Sequence, residues 1–157
     1  MKLTTLCYLE KDAQVLLLHR VSKKNDPNQD KWIGVGGKFE AGESPEDCVI
    51  REVKEETGYT LTRFAFRGIV TFVSDIYETE YMHLFTADGF EGTLHPFCDE
   101  GVLQWVDKDQ AELLPTWAGD RIFLKLIGTD RPFFSLKLVY RGDELVRAVL
   151  DHQELTI

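Results

Sequence analysis

Three glutamates, Glu52, Glu55 and Glu56, fall within five consecutive positions of the segment IREVKEETG. Carboxylates are hard oxygen donors suited to a divalent cation such as Mg²⁺, and any of them can also take a proton from water. On an α-helix, at about 100° per residue, Glu55 points about 60° to one side of Glu52 and Glu56 about 40° to the other, so the three share a face. Ile50, Val53 and Thr57 follow an adjacent apolar stripe. Three like charges on one face repel each other, and a bound cation removes that cost. Charged helix faces are commonly just solvated, however, with Arg51, Lys54 and water neutralising them. The triplet alone does not choose between these readings.

The elements that must position the triplet are legible on both sides of it. KWIGVGGK at 31–38 runs a short β-like stretch into glycines, which allow positive φ and close backbone approach. Ser44-Pro45-Glu46-Asp47 suits a helix start: a capping serine, a proline in the first turn, and acids at the positive end of the dipole. Gly58 stands where a left-handed residue closes a helix. The spacing predicts a helix between Ser44 and Gly58, behind a glycine-rich loop.

Upstream, residues 3–9 and 14–20 are rich in β formers and flank the polar Glu10-Lys11-Asp12-Ala13. They read as an antiparallel pair, the second nearly all apolar and central. Arg20 ends it, before the polar loop SKKNDPNQD, whose Lys23 and Lys24 are expected in solvent yet within reach of a ligand. Downstream, strands are expected over 60–75, 79–87 and 102–106, with a loop or short ribbon at 89–97 and a short helix capped by Asp107. PTWAGD at 115–120 opens a second long helix to Ile127, and 133–140 with 144–151 form a hairpin turning at Arg141-Gly142-Asp143. The pattern is α+β, a mixed β-sheet flanked by helices, in a single domain over residues 1–157.

With 157 residues, 43% apolar and 29% charged, the chain can bury a substantial core. A net charge of −9 argues against a general polyanion binder, so no nucleic-acid partner is expected. A small phosphorylated ligand stays open, since metal ions and a few local cations can meet its charge. Cys7, Cys48 and Cys98 are odd in number and widely spaced, which fits reduced thiols, and the four histidines show no metal spacing. No segment approaches the roughly 18 apolar residues of a membrane span, nor does the start read as a signal peptide. No membrane partner and a cytoplasmic location are therefore expected.

The spacing around the triplet says more than the triplet. Gly37 is followed after five residues by Glu43, after seven more by Arg51-Glu52-Val53, after one by Glu55-Glu56, and after one by Gly58-Tyr59. This order resembles the signature box of the Nudix hydrolase family at every fixed position. The one departure is Tyr59, aromatic where an aliphatic residue is usual. The resemblance implies an α/β/α sandwich and hydrolysis of a nucleoside diphosphate linked to a further group, with Mg²⁺ as cofactor and Mn²⁺ as a substitute. It assigns Glu52, Glu55 and Glu56, with the Gly37 carbonyl, as metal ligands, one of the glutamates also activating water. It makes Arg51 the partner of Glu43, holding loop to helix, and Gly58 the helix end. Lys38 and Arg20 would face phosphate, and Glu100 would be a further carboxylate acting as ligand or base, with Asp99 its rival.

Outside the box, WIGVGGKFEAGES, PTWAGD and PFFSLKLVYRGDEL resemble the MutT-type enzymes, most of all bacterial 8-oxo-dGTP diphosphatases. That implies hydrolysis of 8-oxo-dGTP or related oxidised purine nucleotides to the monophosphate and pyrophosphate, hence nucleotide-pool sanitation and DNA repair, by a monomer or homodimer. Trp117 would stack on the purine and Asp120 would hydrogen-bond its edge. Alternatively, Trp117 belongs to the core and Asp120 merely sits near the helix's positive end. Trp32 and Trp105 read as core, and Ile33 stands near where some relatives place a base-reading asparagine. Two other functions stay open: a different family substrate (ADP-ribose, a nucleotide sugar, a dinucleoside polyphosphate), or a non-catalytic nucleotide sensor, against which the intact box argues.

Overall fold

Side-chain alternation along two central strands decides where everything else packs. In the computed structural model, which describes residues 1–22 and 24–157, β1 (Lys2–Lys11) and β2 (Gln14–Arg20) are buried on both faces. Successive residues of a strand point to opposite sides. Leu6, Tyr8, Val15 and Leu17 therefore join one hydrophobic cluster, while Cys7, Leu9, Leu16 and Leu18 join another. Helix α1 (Pro45–Thr57) covers the second cluster with Val49 and Val53. Helix α3 (Ala118–Ile127) covers the first with Phe123 and Ile127. The result is an α/β/α sandwich.

The other elements are β3 (Trp32–Ile33), β4 (Thr60–Ser74), β5 (Glu80–Glu91), β6 (Phe97–Cys98), β7 (Gly101–Asp107), α2 (Lys108–Ala111), β8 (Phe134–Arg141), β9 (Glu144–Leu150) and β10 (Gln153–Glu154). The strands run in the order β10-β9-β8-β4-β5-β1-β2-β7-β6, with β3 beside β2. β1 with β5, and β4 with β8, are parallel pairs; the remainder are antiparallel. The sheet is mixed.

One irregularity makes room for a site. β1 and β2 pair at Glu10↔Val15 and Lys11↔Gln14, beside their turn, and part beyond it. Past that corner β2 pairs with β3, while the glycine loop bridges β1 at Cys7↔Val35 and Thr4↔Lys38. The sheet thus splits into a V with the loop between its arms.

Several expectations need correction. Ile50 is exposed, because it lies about 100° around the helix from Val49, off the Val49–Val53–Thr57 line that is buried. Asp107 does not cap α2 with its side chain, which instead accepts a hydrogen bond from Gln14 Nε2 at 3.0 Å. β5 continues to Glu91, so part of the expected loop is strand, and β10 was not anticipated. Lys24 is exposed, and Lys23 lies outside the described residues. Among the described residues no helix is long and apolar enough to cross a membrane.

Candidate functional site

Helix α1 is fixed at both ends. Ser44 Oγ accepts the Asp47 amide at 3.0 Å and the Asp47 carboxylate accepts the Ser44 amide at 3.1 Å, a reciprocal cap. Gly58 closes the helix at φ 87°, where a Cβ would stand 2.5 Å from the Thr93 carbonyl. Between the ends, Arg51 forks Glu43 with bonds of 2.7 and 2.9 Å, and these hold the Glu43 carboxyl down to about 2. The same guanidinium donates to the Lys38 carbonyl at 3.0 Å and to Glu52 at 2.6 Å. Arg51 is thereby the peg that holds the loop to the helix.

The glycines serve close approach rather than turn geometry, since neither Gly36 nor Gly37 has positive φ. A Cβ on Gly36 would lie 1.9 Å from the Thr5 carbonyl oxygen, and one on Gly37 would lie 2.4 Å from Glu52 Cδ. The Gly36 amide donates to Glu56 Oε2 at 3.0 Å. The Gly37 carbonyl accepts the Thr5 amide at 2.9 Å and, weakly, the Cys48 thiol at 3.7 Å.

A cavity of about 540 Å³ fills the V. Glu52, Glu56 and Glu100 line it together with Gly37 and Lys38, and Trp117 and Asp120 line it as well. Glu55 does not: it is exposed and held 3.2 Å from Arg51, so the three box acids are not equivalent. Asp99 is exposed and outside the lining, unlike Glu100. Burial pushes Glu56 up to about 8, against the Gly36 amide, and the nearby Glu100 and Glu52 add to the rise. Burial, with Glu55 and Glu100, also raises Glu52 against the pull of Arg51. Such carboxylates are uncomfortable as anions unless a cation joins them.

Among the described residues, no three acidic, histidine or cysteine side chains are drawn close enough to grip a metal as they stand. Glu52 leans on Arg51 and Glu56 on Gly36 instead. The donor set is nonetheless all oxygen, converges on one cavity and is electrostatically frustrated, which fits a hard divalent cation. The described lining holds six carboxylates against three cationic side chains. Two of the three are already paired, Arg20, expected to face phosphate, with Asp26 at 2.7 Å and Lys2 with Glu80 at 3.4 Å.

At the other end, Trp117 and Asp120 are each only 7% exposed. Trp117 belongs to the core cluster, as one of its two sequence readings has it, and also lines the cavity. Its Nε1 donates to Asn28 Oδ1 at 2.7 Å, the Lys31 ammonium lies 4.5 Å from its ring centroid, and Phe72 and Tyr140 meet it edge-on. Asp120 accepts the Thr116 hydroxyl at 3.1 Å, and burial pushes it up to about 7. The Gly119 amide donates to the Tyr140 hydroxyl at 2.7 Å, tying the start of α3 to β8. Asp26 and Asn28, which line the cavity, were missed as site residues. Their one local signal was the NDPN turn, in which Asp26 accepts the Asn28 amide at 3.0 Å. Trp32 stacks on His19 and Trp105 on Phe90, both outside the cavity lining.

The NUDIX domain model matches residues 2–127 of this chain. The chain belongs to the Nudix family. An uncharacterised Nudix hydrolase of Bacillus subtilis is 37% identical over 96% of this chain and 95% of its own length. An oxidized purine nucleoside triphosphate hydrolase of Danio rerio is 34% identical over 98% of this chain and 96% of its own. The crystal structure of a MutT protein from Bacillus halodurans superposes with a TM-score of 0.86 at 32% identity, covering 96% of this chain and 98% of that one. The Nudix fold explains why the glycine loop, the capped helix and the split sheet occur together, and this Nudix chain is a hydrolase by family.

Proposed function

We propose that this Nudix hydrolase is a Mg²⁺-dependent nucleoside triphosphate pyrophosphohydrolase that acts on 8-oxo-dGTP or a related oxidised purine nucleotide. The observation that carries the reading is one cavity joining the box carboxylates to Trp117 and Asp120. A purine on Trp117 leaves its polyphosphate directed toward Glu52, Glu56 and Glu100. The near-full-length similarity to an oxidized purine nucleoside triphosphate hydrolase supports the same substrate class. We take the whole chain, 1–157, to act as one domain, since β8, β9 and β10 extend the same sheet.

Glu52, Glu56 and Glu100 would hold the cation, with the Gly37 carbonyl turning from the weak Cys48 thiol contact to the ion, and Glu55 would join from the exposed flank. When bound, Mg²⁺ neutralises phosphate charge and acidifies a water nucleophile. That neutralisation is needed here, because a bare triphosphate brings further negative charge to a lining already rich in carboxylates. Lys38, exposed at the rim, meets the phosphates directly, while Arg20 acts through a guanidinium shared with Asp26. One of the buried carboxylates takes the proton from water. Asp120 presents its carboxyl to the base edge, where a mismatched base leaves it unpaired.

The test is a panel of 8-oxo-dGTP, dGTP, dATP, ADP-ribose and a nucleotide sugar with Mg²⁺, with the products identified. The expected outcome is highest kcat/KM for the oxidised guanine triphosphate, giving monophosphate and pyrophosphate. Glu56→Gln should stay folded and lose about 10²- to 10⁴-fold in kcat. Equal or faster turnover of ADP-ribose would overturn the substrate, and nucleotide binding without turnover would point to a sensor.

A further inference from the structure

The loop between β2 and β3 does more than connect two strands. Arg20 holds Asp26 at 2.7 Å, Asp26 in turn accepts the Asn28 amide at 3.0 Å, and the Asn28 side chain reaches Trp117 across 89 positions of sequence. An indole N–H can only donate, so the atom of Asn28 facing Trp117 must be its carbonyl oxygen. That fixes which way the carboxamide is turned. Its NH₂ group can only donate, has no hydrogen-bond partner among the described residues, and belongs to a residue that lines the cavity beside Trp117.

We infer that Asn28 is a specificity-determining residue, whose Nδ2 donates a hydrogen bond to a carbonyl oxygen of the base stacked on Trp117 and so selects oxopurines over aminopurines. This rests on Trp117 being the base platform. Asp26 and Arg20 are positioning residues that hold the loop so that the amide stays aimed. The orientation is built before any ligand arrives, because turning the amide over would set an NH₂ against the indole N–H and lose the bond. An exocyclic amino group at the same place on the base would meet a donor with a donor, which excludes it more effectively than a merely absent contact.

Two substitutions separate reading the base from propping the platform. Asn28→Asp keeps an oxygen acceptor for Trp117 Nε1 and removes the donor, while Asn28→Leu removes both. The readout is the ratio of dissociation constants for dGMP and dAMP, titrated by tryptophan fluorescence without metal, so no turnover is required. The wild type is expected to prefer dGMP, and Asn28→Asp to shrink that preference by about tenfold. The charge it adds weakens both ligands alike and cancels in the ratio. An unchanged ratio in Asn28→Asp, or a wild type without preference, overturns the inference. So does a ratio that falls only in Asn28→Leu, which would make Asn28 a prop. Failure of the hydrolysis panel would instead count against the proposed reaction, since binding of the monophosphates is read independently of it.

Discussion

Asp120 illustrates how burial sets the chemistry of a single residue in the cavity lining. Its carboxyl is raised from an ordinary 3.8 to about 7, chiefly by burial and also by Glu80, against the Thr116 hydroxyl, Arg121 and Lys31. Below the ordinary value the proton is present in both folded and unfolded chains, and the stability it confers is complete. As pH rises toward about 7 the unfolded chain releases the proton first, so stability is lost through that window and levels above it. A carboxamide in its place does not titrate and has no such dependence. The melting-temperature advantage of wild type over Asp120→Asn should therefore shrink between about pH 4 and about pH 7 and then stay flat. Thermal melts of both proteins across that range check this. A constant difference would mean that Asp120 is not buried as described.

At the scale of elements, α1 was readable because its determinants are local. Ser44, Asp47, Arg51 and Gly58 act on neighbours within a few turns, and each has a defined partner in the fold. Ser44→Ala should cost about 1 kcal/mol by removing an acceptor from an orphan amide. At this chain length that lowers Tm by about 2–4 °C, and a drop too small to resolve would show that Arg51 and the packing of Val49 and Val53 hold the first turn unaided. The sequence placed strands well but not their partings. Nothing local says that β1 and β2 part beyond the Glu10–Val15 pair, because the reason lies in the glycine loop bridging Thr4 and Cys7. The Asn28–Trp117 bond was equally hidden, joining a polar turn to a helix start 89 positions away. Ile50 was misplaced because hydrophobicity alone does not fix which edge of a helical stripe meets the sheet.

For the whole molecule, a cation held by the acids of the cavity, as proposed, would make its binding and folding one equilibrium. A cation that binds the folded chain at 100 times its Kd adds about 2.7 kcal/mol, and each kcal/mol raises Tm by about 2–4 °C at this size. Mg²⁺ should thus raise the wild-type melting temperature, a chelator should reverse the gain, and Glu52→Gln combined with Glu56→Gln should abolish it. Calorimetric scans with and without the ion measure this. A gain equal in wild type and variant would place the cation elsewhere.

The V in the sheet has one more consequence. The acid helix stands on the cluster containing Leu9, Leu16 and Val53, whereas Trp117 and α3 stand on the cluster containing Tyr8, Leu17 and Phe123. The two ends of the cavity therefore have separate foundations, joined through strands that send alternate side chains to each. Under the proposed assignment, base preference would drift over generations through changes in α3 and the 26–31 loop, while the proposed hydrolytic half keeps its footing. A single inherited engine can in this way be refitted to new nucleotides without being rebuilt.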